Sequence, residues 1–170
     1  MILAIFGAIW LVIWSQRAYG LRLFTLALIA IGAISIFVAG WRQYQENRSA
    51  RTGQEDSPAQ KKAGRIFYIV NITQWVAILV VANVLVNLGL KDWVLASVIV
   101  IVGLHFFPLA KAFGNPLLNF TGAAMIVLAI GYPLIAPGGA ANPVGCFGAG
   151  VILWASAIAS LTRNPSTQSA

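Results

Sequence analysis

Five stretches of this chain, 21–41, 66–90, 93–112, 117–136 and 140–162, run for 20 residues or more with hardly a charge. At 1.5 Å per residue each would make a helix of about 30 Å or more, which is the thickness of a bilayer's hydrocarbon core. Only 9% of the chain is charged and 59% is hydrophobic, whereas an ordinary soluble domain is roughly 25% charged. A soluble globular domain is therefore excluded, and so is a disordered chain, because disorder goes with low hydrophobicity. A sixth apolar run, 2–14, is only about 20 Å long as a helix. It is expected to cross as well, by reaching through Gln16 or by local thinning of the bilayer. An interfacial segment there would leave five spans. It carries no positive leader and no small-residue cleavage site, so it reads as retained and not as a secretory signal. The expected fold is an all-α transmembrane bundle of six spans, forming a single integral membrane domain over 1–170.

Charge sets the expected orientation. The net charge is +7, and six of the eleven cations fall between Arg42 and Arg65. In a soluble protein such a balance suggests nucleic acid; beside membrane spans it marks the cytoplasmic face, so no nucleic-acid partner is expected. Placing 42–65 inside puts eight cations in the cytoplasm and leaves Arg17, Arg22 and Lys91 outside. Both termini are then cytoplasmic. Residues 42–65 read as a flexible basic loop, solvated or lying on anionic headgroups. Residues 137–150, with five Gly and two Pro, read as an extracytoplasmic loop leading into the last helix.

What could act inside the bilayer is scarce. All four carboxylates, Glu46, Glu55, Asp56 and Asp92, lie outside the spans. Carriers that couple to protons or cations commonly depend on buried carboxylates, and hydrolases need a nucleophile, a base and an orienting group. One His and one Cys, His105 and Cys146, do not make a metal cage within one chain. The expectation is a non-enzyme with no cofactor and no metal.

The remaining polar groups are uneven in depth. Asn71, Gln74, His105 and Asn119 all fall in the cytoplasmic half of their spans, and Asn71 and Gln74 share a helix face because they are three apart. Asn83 lies on the opposite face and nearer the outer side. These side chains either hydrogen-bond across helices, at about 0.6 kcal/mol each on average, or form a small polar pocket. Pro108 follows His105 by three residues and cannot donate to the Leu104 carbonyl, so a kink is expected there. Ala155/Ala159 and Ser156/Ser160 are small-xxx-small pairs suited to close helix packing.

The run Val102-Gly-Leu-His-Phe-Phe-Pro-Leu-Ala-Lys-Ala-Phe113, followed by Asn115-Pro-Leu117, resembles a segment of small multi-pass membrane proteins of bacteria. The resemblance covers about 16 residues of the chain. It implies a bacterial inner-membrane location and no particular activity. The function expected from the residues is the binding or passage of a small uncharged or anionic solute, with Asn71, Gln74, His105 and Asn119 lining its site in a homo-oligomer. The rival expectation is a non-catalytic accessory or scaffold subunit of a larger membrane complex.

Overall fold

The computed structural model describes residues 2–20, 22–49 and 58–162. They form six helices and no strand: α1 (Ile2–Tyr19), α2 (Leu23–Ser49), α3 (Pro58–Asn87), α4 (Val94–Phe113), α5 (Leu117–Ile135) and α6 (Val144–Thr162). All six are long and apolar enough to cross a membrane. The protein is an all-α, multi-pass integral membrane protein. α1 runs through Gln16 and Arg17 to Tyr19, about 27 Å, which removes the length objection to the first span.

Glycines set the tightest crossings. A Cβ on Gly103 would stand 2.9 Å from the Gly122 carbonyl, and one on Gly122 would stand 2.6 Å from the Gly103 carbonyl. The backbones of α4 and α5 therefore touch there, as small residues permit in a bilayer. On the other side of the body, a Cβ on Gly150 would meet Leu11 Cγ at 2.6 Å and the Gly7 carbonyl at 3.0 Å, which seats α6 on α1. The Trp154 indole N–H donates to the Ala4 carbonyl at 3.0 Å across the same pair. Further out, Gln43 on α2 donates to the Leu161 carbonyl near the end of α6 at 3.2 Å. α1, α4, α5 and α6 thus form the packed body, with Ile99, Met125, Cys146 and Leu153 almost fully buried in it. α2 lies against α1 and α6. α3 lies chiefly against α4, and no residue of its most apolar stretch is buried.

Two sequence expectations are corrected. Segment 42–65 is not a loop at its ends, because α2 continues to Ser49 and α3 starts at Pro58. Residues 42–49 and 58–65 are rich in Gln, Glu, Arg, Lys and Ala, which favour helix. Extending an existing helix also avoids the cost of nucleation, and Pro is well tolerated at a helix's first position. Residues 50–57 lie outside the described residues. The second correction concerns 137–150, whose latter half, from Val144, is helical. Gly145, Gly148 and Gly150 are packing positions and not loop signals: an added Cβ would strike the Tyr132 ring at 2.8 Å, Leu128 at 2.6 Å and Leu11 at 2.6 Å respectively. Glycine disfavours an isolated helix, and here the close approach of a neighbour outweighs that preference. Asn142 organises the turn before α6, accepting from the Val144 N–H at 2.9 Å and donating to the Pro137 carbonyl at 2.7 Å. Asn115, which precedes Pro116, works alike, accepting from the Leu117 N–H at 3.1 Å where α5 starts.

Candidate functional site: a cleft between the first and third helices

α1 packs on α6 and α2, and α3 packs on α4, with no packed seam between α1 and α3. The gap between them is a cavity of about 350 Å³. α1 supplies Ile2, Phe6, Ile9 and Ile13, and α3 supplies Phe67, Asn71, Gln74 and Ile78. Both sets follow the spacing i, i+4, i+7, i+11, so each is one stripe of a helix face. α4 forms the floor with Val98, Val102, His105, Phe106 and Leu109, and Leu118 and Leu153 reach it from α5 and α6. Each of the three main walls covers eleven positions along its helix, about 16 Å, or roughly half the ~30 Å hydrocarbon core. The cleft starts at Ile2, Phe67 and Leu109, on the side where α1 begins and α6 ends.

Three of the four polar residues singled out by the sequence, Asn71, Gln74 and His105, line this one cleft. The fourth, Asn119, is exposed on α5 and is not among the residues lining it. Asn119 sits two residues before Thr121, which is buried against α6. Two residues is a little over half a helical turn, so Asn119 points to another side of α5. Asn83 is exposed and donates to the Leu79 carbonyl of its own helix at 2.8 Å, consistent with its separate face. α4 continues unbroken through Pro108, and the pyrrolidine ring lines a second cavity.

That second cavity, about 290 Å³, lies on the other flank of the α3–α4 seam and is bounded by Val70, Thr73, Gln74, Leu104, His105 and Pro108 among others. Gln74 and His105 border both cavities. They are the shared wall between them.

Hydrogen bonding separates the cleft residues from the other polar groups of the spans. Thr121 Oγ1 contacts Ser156 Oγ at 2.7 Å and the Leu117 carbonyl at 3.0 Å. A hydroxyl has one proton, so Thr121 donates to Leu117 and accepts from Ser156. Thr73, Ser35 and Ser160 each donate to a carbonyl of their own helix. Tyr132 donates to the Ala140 carbonyl at 3.0 Å. Asn71 and Gln74 make no side-chain hydrogen bond to any described residue. The His105 Nδ1 is buried without a partner. Two carboxamides without partners and a buried, unpartnered imidazole nitrogen can recognise an uncharged polar group by hydrogen bonding. Among the described residues no cluster of His, Cys, Asp or Glu could hold a metal ion.

Sequence reasoning missed the aromatic walls. Trp10, Trp75, Phe67 and Phe106 all line the cleft, and Trp10 is 8% exposed where Trp75 is 53% exposed. Nothing in a helix that is apolar on every side as far as Trp14, as α1 is, marks which stripe faces a cavity. The only available signal was the register of Asn71 and Gln74 on α3, which points to whatever stands opposite.

No known protein family, curated protein or solved structure matches the chain. The geometry of the cleft therefore carries the functional reading.

Proposed function

We propose that this protein binds a small uncharged solute in the cleft between α1 and α3, as a non-catalytic membrane protein with its termini in the cytoplasm of a bacterial cell. The observation that supports this most is the unsatisfied state of Asn71 and Gln74, in a bundle whose other polar side chains are largely paired. Both side chains are half-buried and lack a hydrogen-bond partner among the described residues. Two carboxamides on one stripe, facing a cavity, gain that partner when a ligand enters. No charged side chain lines either cavity, so an anionic solute, expected alongside an uncharged one, finds no counter-charge there.

The test compares small molecules that co-purify with the wild type and with a Gln74→Leu/His105→Phe double variant. An uncharged compound should accompany the wild type in near-equal amount and be missing from an equally stable double variant. Identical extracts from both would overturn the reading. The accessory-subunit reading draws on a different observation, the unburied face of α3. It predicts a polypeptide that co-purifies in fixed ratio and leaves when α3, and not the cleft, is altered.

A further inference from the structure

Depth narrows the chemical class of the ligand, on the reading that the cleft binds an uncharged molecule. Asn71 lies four positions beyond Phe67, at the open end of the cleft, and Gln74 lies seven beyond it. These offsets place their amides about 6 Å and 10 Å along the cleft. His105 is four positions from Leu109, about 6 Å in from the same end. The polar side chains therefore meet a ligand in mid-leaflet and not at the headgroup level. A glycerol or phosphate head, hydrated by several waters, would lose them all at that depth, and burying a hydroxyl or amide unpaired costs about 1–3 kcal/mol. A carbonyl oxygen accepts hydrogen bonds without carrying a donor of its own that must be satisfied. Asn and Gln carboxamides each offer two N–H donors.

The walls add shape. Trp10, Trp75, Phe67 and Phe106 present flat apolar surfaces around the amides, and aromatic rings stack offset or edge to face at 4.5–7 Å between centroids. At about 30 Å³ for a water-sized group, a 350 Å³ cleft holds roughly a dozen non-hydrogen atoms, enough for a substituted ring and not for a long tail. The tail has an exit, because α1 and α3 do not close on each other, and the stripe residues Ile2, Phe6, Ile9 and Trp75 are exposed at the rim. We infer that the cleft takes the head of a membrane-dissolved quinone: an uncharged ring whose carbonyl oxygens accept from Asn71 and Gln74, with its apolar tail leaving between α1 and α3 into lipid.

Decylubiquinone is the probe, titrated into the full-length protein in zwitterionic phospholipid nanodiscs, with tryptophan fluorescence as the readout. Saturable quenching is expected, most of it lost in a Trp10→Phe/Trp75→Phe variant. A Gln74→Leu variant that stays folded by circular dichroism should bind at least tenfold more weakly, with Asn71→Leu as an independent second variant. Linear, non-saturating quenching that is equal in all variants would overturn the proposal. So would displacement of the quinone by dodecanol at matched concentration, since the chain and not the ring would then decide binding. If quinone fails while another uncharged compound co-purifies with the wild type and is lost from the double variant, the quinone class is wrong and the solute-binding reading stands. If both experiments fail, both readings fall.

Discussion

The two sides of α4 are built differently. Toward α5 the helix is in backbone contact: Gly103 and Gly122 approach so closely that neither site has room for a methyl group, and Phe106 and Ile99 are buried. Toward α3 the same helix meets a partner with no buried residue in its most apolar stretch, and the seam is flanked by two cavities. The difference extends to polar groups. Thr121 and Ser156, 2% and 7% exposed, bond each other between α5 and α6, whereas Asn71 and Gln74 bond nothing among the described residues. In the packed body Thr121 and Ser156 link two helices. On the α3 flank a polar group faces a cavity without a partner, and neither residue type nor depth in the membrane distinguishes the two settings; only the neighbour does.

Substitutions can break this contrast at several points. The largest effect is expected at the α4–α5 crossing. Gly122→Leu should destabilise by about 3 kcal/mol, the upper end for overpacking, read as a drop in thermal midpoint in detergent. Gly131→Leu on the same helix, where an added Cβ meets nothing within 4 Å, should change stability by less than about 0.5 kcal/mol. Equal effects at the two glycines would mean the crossing is not tight. Next in size, Thr121→Val should cost about 1–2 kcal/mol, because it leaves Ser156 buried without its partner. A double-mutant cycle with Ser156→Ala should show coupling of about 0.5–1.5 kcal/mol. Gln74→Leu should leave stability within about 0.5 kcal/mol of wild type, since it removes an amide that has no hydrogen bond to lose; a loss as large as that at Thr121 would reveal a structural bond. Smallest of all, Ser15→Ala should be neutral or stabilising by up to about 1 kcal/mol in the same thermal assay, because the Ser15 hydroxyl is buried and unpaired and its removal relieves that penalty.

The architecture was legible in the sequence because hydrocarbon thickness and run length leave little choice. α4, α5 and α6 begin and end within a few residues of their apolar runs, whereas α2 and α3 overrun theirs by eight residues at the polar ends and α1 continues past Trp14 to Tyr19. Gly145, Gly148 and Gly150 misled, since a glycine marks a turn or a helix contact according to what faces it, and the facing residues Tyr132, Leu128 and Leu11 are distant in sequence. The candidate site was half legible. Asn71, Gln74 and His105 could be placed at one level from rise per residue, and the structure puts them on one cleft. Asn119 shares their depth and not their direction, which spacing within α5 cannot reveal without knowing that Thr121 faces α6. The contribution of α1 was invisible, because its stripe of Ile2, Phe6, Ile9 and Ile13 is no more apolar than its other faces.

The most direct test of the open cleft is disulfide trapping between its two walls. Cysteines replacing Ile9 and Gln74, in a Cys146→Ala background, should not form a disulfide under mild oxidation, because a bridge needs Cα atoms within about 7 Å and a cavity separates the helices. A longer bifunctional maleimide should join them. Rapid, complete disulfide formation in the bilayer would show α1 packed on α3, and would leave no space for a ligand beside Asn71 and Gln74.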